Sequence, residues 1–382
     1  MRYGTLREPA PAMGYSQAPT GILRPDGSLW LVTDCGTLGD PMRIPEATWA
    51  LICPSLAVKA AWMRWWGGDR ILTDEARHDQ YNPSVVRYGG QWVQTYTGTT
   101  WGSDHQEYLG LAVSEDLVSW QVKYRWVRGI PAPEGQNQGR YGIYNGGAFV
   151  LGEHLVVMGW DKWAGPTRYV VGPNLQLIRR DACSVPVPPG WPGVMLTDAA
   201  LDTDGRVLIL GQQVGLIGPG NAEVIEFRSV ASAAGWGIGD GDDLGFAATG
   251  QTLVGTGPWT CDGGYLRDDA GRLVRPGMRF AVTGNGDWRD RERMKICYWV
   301  DDGFAPPVSW ERWNSLAGHD PPFDITPEER ESLDLMLAWR RDATFEEIHS
   351  IHRGTADPPG ASNPGPGHGP LLERPEELVE GG

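Results

Sequence analysis

Long apolar runs, paired cysteine motifs and an excess of basic residues are all missing from this sequence, and each lack removes a class of function. No stretch is long and apolar enough to span a bilayer, and the opening residues Met1-Arg2-Tyr3-Gly4-Thr5-Leu6-Arg7-Glu8-Pro9 lack the apolar segment of a secretory signal. The expectation is a soluble protein, cytoplasmic or incorporated in a released particle such as a virion, with no membrane partner. The five cysteines, Cys35, Cys53, Cys183, Cys261 and Cys297, are odd in number and widely spaced, with no Cys-x-x-Cys pair. They predict buried reduced thiols rather than a disulfide frame, a zinc site or a redox site.

Other absences narrow the chemistry further. His78, His105 and His154 have no second histidine or carboxylate at a metal-ligand spacing, so neither a metal nor a cofactor is expected. There is no Gly-x-Ser-x-Gly segment for an α/β-hydrolase nucleophile, and the Gly-rich run from Gly235 to Gly241 is not followed by a helix signal that would cradle phosphate. Asp240, Asp242 and Asp243 read as a solvated acidic loop. With 33 basic against 48 acidic residues the net charge is -15, which repels nucleic acid.

What the chain does have is turn residues and tryptophan: 53 Gly, 30 Pro and 19 Trp among 382 residues, at a mean hydropathy of -0.35. That composition fits a turn-rich all-β protein with a real core. The clearest unit runs from Asp79 through Asn82-Pro83-Ser84-Val85-Val86-Arg87-Tyr88, a Gly89-Gly90 turn, and Gln91-Trp92-Val93-Gln94-Thr95-Tyr96. A polar residue opens an apolar run, a glycine turn follows, and a second run ends in polar and aromatic residues, which is the pattern of a β-hairpin.

The pattern returns. Hairpins open at Thr20, Asn82, Asn145, Asp198 and Asp262, at spacings of 62, 63, 53 and 64 residues. Each interval has room for four short strands, and radial repetition of such sheets is how a propeller protects its edges. The sequence therefore predicts a five-bladed β-propeller over residues 18–312, preceded by an arm or closing strand at 1–17. Trp120, Trp236 and Trp310 end units and read as packing residues between blades. Thr326-Pro327-Glu328-Glu329 and Thr344-Phe345-Glu346-Glu347 are capping boxes, so residues 313–353 read as a helical appendage, with 326–353 a possible surface for a protein assembly partner. Residues 354–382 read as a disordered Pro/Gly-rich tail.

In a blade the first strand begins, and the second ends, on the same face. One rim is therefore expected to gather Asn82, Asn145, Asp198 and Asp262 from strand starts and Tyr96, Trp160, Asp161, Gln212 and Asn285 from strand ends. Carboxylates, amides and aromatic faces in one mouth suit a carbohydrate ligand. At any one position, an Asp or Asn before a small residue serves equally well as a turn cap.

Asn82-Pro83-Ser84-Val85-Val86-Arg87-Tyr88-Gly89-Gly90-Gln91-Trp92, followed by Gly110-Leu111-Ala112-Val113-Ser114-Glu115-Asp116-Leu117-Val118-Ser119-Trp120, resembles a blade of glycoside hydrolase family 43 and its five-bladed relatives. The resemblance implies hydrolysis of arabinosides or xylosides with inversion, by an Asp base, a second orienting Asp and a Glu acid on inner strands. Carried over, it leaves Asp198 and Asp262 as the acid and base, with Asn82 standing at a family aspartate and Asn145-Gly146 where a Glu is expected. Asn82, Asn145, Tyr96, Trp160, Asp161, Gln212 and Asn285 are then the sugar contacts. The competing expectation is a non-catalytic glycan-binding adhesin, or a structural propeller of a virion or tail assembly.

Overall fold

The computed structural model describes residues 2–5, 20–25, 29–33, 36–38, 78–100, 106–117, 121–128, 143–214, 223–236, 244–255, 259–284 and 295–304. Asn285, Trp120, Trp310, the helical appendage and the tail lie outside the described residues, as do Asp240, Asp242, Asp243 and His105.

The described elements are strands and one short 3-10 turn at Ala233–Gly235. Three antiparallel meanders come first to the eye: β5 (His78–Tyr88), β6 (Gln91–Thr100), β7 (Gln106–Ser114) and β8 (Gln121–Arg128); β9 (Ile143–Leu151), β10 (His154–Asp161), β11 (Gly165–Val171) and β12 (Leu177–Ala182); and β13 (Val194–Leu201), β14 (Val207–Gln213), β15 (Val224–Ser229) and β16 (Phe246–Leu253). Each is a four-stranded sheet in simple spatial order. The remaining strands are β1 (Arg2–Thr5), β2 (Thr20–Leu23), β3 (Leu29–Thr33), β4 (Gly36–Leu38), β17 (Trp259–Asp268), β18 (Met278–Gly284) and β19 (Lys295–Val300). They join in one seven-stranded sheet, ordered β1-β19-β18-β17-β2-β3-β4, in which β17 and β2 run parallel.

The first strands of the sheets stand side by side: β9 lies between β5 and β13, and β17 lies between β13 and β2. The described residues form an all-β propeller. Its first seventeen residues contribute β1, which pairs antiparallel with β19 through Arg2–Val300 to Thr5–Cys297, so the two ends of the propeller chain are zipped together.

Burial on both faces explains strands that do not alternate. In β14, Val207-Leu208-Ile209-Leu210 are all buried, because Val207 and Ile209 pack with Phe149, Val156 and Leu196 while Leu208 and Leu210 pack with Tyr265, Ala281 and Trp299. A similar layer of Val86, Val93, Leu109, Leu111, Leu155 and Val157 fills the space between the β5–β8 and β9–β12 sheets. Each layer is core shared by two neighbouring sheets, so no sheet is stable alone.

The outermost strand β12 reads differently. Its Arg179-Arg180-Asp181 run places charge on an exposed sheet edge, a common protection against edge pairing. Trp236 fulfils its expected packing role: its ring stacks on Phe149 at 6.3 Å, and the Arg168 guanidinium sits 4.0 Å from its centre. The Gly89-Gly90 turn adopts φ of 58 and 82, the left-handed pair that a two-residue hairpin turn requires.

Candidate functional site on the inner strands

Four of the described inner strands, β5, β9, β13 and β17, carry an irregularity, whereas β2 pairs with β3 in unbroken register. In β5 the ladder steps from Tyr81–Thr97 to Ser84–Thr95, leaving Asn82 and Pro83 opposite one residue. In β9 Gly146 and Gly147 are left between the Asn145–Gly159 and Ala148–Val157 pairs, and in β17 Asp262 and Gly263 are left between Cys261–Val282 and Gly264–Phe280. In β13 Thr197 alone is extra. These are β-bulges, which re-aim side chains and free backbone groups from the ladder.

The bulges correct the phase of the repeat. Asn82 and Asp262 are true counterparts, both at φ 54. Asn145 stands one residue before its bulge and Asp198 one residue after. A one-residue offset in a strand turns the side chain to the opposite face, so the four residues do not form a single ring.

Asn145 is a brace between sheets. Its Nδ2 donates to the carbonyls of Asn82 at 2.6 Å and Thr95 at 3.1 Å, and its backbone N–H donates to Thr97 Oγ1 at 2.7 Å. Thr20 Oγ1 approaches the same bulge from the other side, donating to the Pro83 carbonyl at 3.3 Å. The bulge therefore has its freed carbonyls satisfied by neighbouring sheets.

Asp198 sits between the inner strands, 1% exposed. Arg267 of β17 grips both its oxygens at 2.9 Å, and Ser84 Oγ, the Ala199 N–H and the Tyr265 N–H each donate to it at 2.8 Å. Arg267 also donates to the carbonyls of Ala148 and Ala199. One ion pair thereby touches β5, β9, β13 and β17. A carboxylate so enclosed has its acceptor positions already filled.

Asp262 is held in another way. It is 5% exposed, and none of the described cations pairs with it. Cys261 Sγ donates to Oδ2 at 3.0 Å, and Gln212 Oε1 accepts the Asp262 N–H at 2.6 Å. Burial pushes its pKa up to about 6, with the Cys261 and Gln212 hydrogen bonds pulling the other way.

Three further expected contacts, Tyr96, Trp160 and Asp161, are buried. Tyr96 lies in the core beside Trp92 and Ile22, edge-on to Tyr108 at 6.5 Å, and Gly110 makes room for its ring. Trp160 is buried against Tyr144 at 5.5 Å. Asp161 is wholly buried: Oδ1 accepts the Trp163 and Ala164 N–H groups of the β10–β11 turn, and Oδ2 accepts from Arg180 at 2.6 Å.

Sequence reasoning missed Arg267 and a second buried cluster. Glu226 of β15 accepts from Arg279 Nε at 2.8 Å and from the Tyr265 hydroxyl at 3.2 Å, and Arg279 Nη1 reaches Asp301 at 2.6 Å. The available signal was a lone charge inside an apolar strand: Arg267 follows Tyr265-Leu266, Glu226 lies between Ile225 and Phe227, and Arg279 precedes Phe280-Ala281-Val282. Charges placed this way need a buried partner.

No protein-family model matches the chain, and no curated protein does. Solved structures similar to it include a thermostable family-43 glycoside hydrolase, at 10% identity over 81% of this chain and 96% of that one, with a TM-score of 0.45. A GH43_1 enzyme from Xanthomonas citri is 10% identical over 78% of this chain and 90% of its own, with a TM-score of 0.43. An endo-arabinase from Bacteroides thetaiotaomicron is 12% identical over 78% of this chain and 99% of its own, with a TM-score of 0.41. The resemblance to family 43 is one of propeller arrangement, at very low identity.

Proposed function

We propose that the chain is a carbohydrate-active, glycosidase-like propeller of five blades, with Asp262 as the acid–base group of a glycan site at the axial mouth. The blade count follows from dividing the seven-stranded sheet at its one parallel pairing: β17, β18, β19 and β1 make one meander and β2, β3 and β4 another. Inner strands of neighbouring blades run parallel, whereas strands within a blade alternate.

The observation that carries the reading is the contrast between the two carboxyls. Asp198 is enclosed by Arg267, so its part is to hold the inner strands. Asp262 has no cation among the described residues, and its pKa near 6 lets it both hold and release a proton around neutral pH. Inverting hydrolysis needs a second carboxyl about 6.5–9.5 Å away. Of the buried carboxylates, Asp198, Asp161 and Glu226 are each committed to an arginine. Asp262 is therefore assigned the proton transfer to or from the sugar, and Asn82, its counterpart across the propeller, a hydrogen-bonding role.

The test is a panel of arabinosides and xylosides, with their oligosaccharides, offered to the wild type and to Asp262→Asn. Turnover lost in the variant, with glycan binding retained, supports the assignment. Equal turnover in both removes Asp262 from the chemistry. Binding without turnover in the wild type assigns the propeller to glycan recognition alone, and neither binding nor turnover rejects a glycan site.

A further inference from the structure

We infer that the connection between β17 and β18, residues 269–277, is a clasp across the seam where β17 meets β2, holding both β2 and β5 to the last inner strand. It stands whether or not the propeller acts on a glycan. The seam is thin: β17 and β2 share three residue pairs, Leu266–Gly21, Arg267–Ile22 and Asp268–Leu23, and run parallel. Parallel pairing is slightly less stable per residue than antiparallel. The β1–β19 pairing closes the chain at the far edge of the same sheet and gives this seam no direct support.

The connection exceeds what its hairpin needs. Two residues join β5 to β6 and β9 to β10, five join β13 to β14, and nine join β17 to β18. Two suffice for a hairpin. The additional chain is tightly folded. The Asp268 carboxylate accepts the Ala270 and Arg272 N–H groups, each at 2.9 Å, the Gly271 N–H returns to the Asp268 carbonyl at 2.8 Å, and the Val274 N–H reaches the Leu266 carbonyl at 3.0 Å. Leu273 packs on the layer that holds Tyr265, Leu208 and Trp299.

From this base it reaches chain on both sides of the seam. Asp269 pairs with Arg24, just beyond the end of β2, at 3.0 Å. Gly271, at φ 78, lies against the backbone of Arg87 in β5, and a methyl group built on it would stand 2.3 Å from the Arg87 nitrogen. On the other side Arg275 stands 3.5 Å from Asp202 in the β13–β14 turn and 3.4 Å from Asp301 beyond β19. A turn serving its own hairpin alone would need none of these contacts. They also bear on the centre of the fold, because Arg267, which grips Asp198, bridges Leu273 at the base of the clasp.

Hydrogen exchange of the full-length protein, read by mass spectrometry, tests the clasp strand by strand. Gly152→Ala is the control, since Gly152 has φ 60 in a turn with open space around it. Gly271→Ala carries the same left-handed strain and in addition pushes the connection off β5. It should speed exchange in β2, β3 and the Arg87 end of β5 by ~10-fold or more over the control, with β10–β12 and β14–β16 alike in both variants. Exchange in β2 and β5 no faster than in Gly152→Ala, or a rise shared by every sheet, overturns the proposal.

A charge exchange tests the tie to β2 without a steric change at Gly271. Arg24→Asp and Asp269→Arg, each placing like charges together, should speed exchange in β2 by ~2-fold or more, and the double variant should restore it. Single variants that exchange like wild type, or a double variant no slower than the singles, overturn the hold on β2 and with it the clasp.

Discussion

Arg267 meets Asp198 through both carboxylate oxygens, each nitrogen–oxygen distance being 2.9 Å, at a point where four inner strands converge. Arg267 is 1% exposed, so a broken pair leaves an uncompensated buried charge. Asp198→Asn is expected to cost ~3–5 kcal/mol, read from denaturant unfolding. Arg267→Lys should recover little, because an ammonium cannot reproduce the two-pronged contact or the donations to Ala148 and Ala199. The double variant Asp198→Asn, Arg267→Met should cost clearly less than the two single losses combined. An Asp198→Asn protein as stable as wild type would show that the pair does not hold the inner strands.

Asp262 sets a pH dependence of stability. Its ordinary value is 3.8, and in the folded chain it is raised to about 6. Between those values the folded chain keeps a proton that the unfolded chain has released, so stability falls as pH rises through the window. The difference of about two pH units corresponds to roughly 3 kcal/mol, complete above the folded value. Asp262→Asn removes the charge, and Asn82 shows that an amide residue fits the same bulge at the same φ of 54. The variant should match wild type near pH 4 and exceed it at pH 7.5, in urea midpoints taken at both pH values. A gap that does not change with pH would contradict a buried titrating carboxyl.

Asp161 separates a turn residue from a ligand contact. Its Oδ1 holds two backbone N–H groups, and its Oδ2 holds Arg180, which is partly exposed. Asp161→Asn keeps the first set and loses the ion pair, with an expected cost of ~1 kcal/mol. Asp161→Ala loses both and should cost ~2–3 kcal/mol by thermal unfolding. Neither should change affinity for a bound xylo- or arabino-oligosaccharide. Loss of glycan binding in a folded Asp161→Asn protein would return this residue to the site.

The hairpins were legible because their cause is local: Gly89-Gly90, Gly152 and Gly205 supply the positive φ that each turn needs, and the apolar runs beside them follow. The inter-sheet role of Trp236 was legible for a similar reason, since a large ring closing a unit must be buried. The phase of the inner strands was not. A bulge is an extra residue relative to a partner strand, so Thr197 or Gly146-Gly147 reveals its offset only when β13 meets β14 and β9 meets β10. Nor could spacing alone separate Asp198 from Asp262, because the difference lies in Arg267, 69 residues away from Asp198 in the chain. Burial of Tyr96, Trp160 and Asp161 likewise depends on partners from other strands.

Gly147 tests how closely the inner strands approach. It has φ 92, and a methyl group built on it would overlap the Ala199 N–H and the Asp198 carboxylate of the neighbouring sheet. Backbone lies against backbone there, so no flexible side chain can move aside. Gly152, at φ 60 in the β9–β10 turn, has open space around the same position. Gly152→Ala should therefore cost only the left-handed strain of about 1–2 kcal/mol. Gly147→Ala adds a clash that must displace β9 from β13 and disturb the Asp198–Arg267 pair, so its loss should exceed that of Gly152→Ala by ~2 kcal/mol or more. Equal losses in a denaturant titration would mean that the two strands stand further apart. A larger loss at Gly147 that vanishes when Asp198 and Arg267 are already replaced would locate the damage at the ion pair itself.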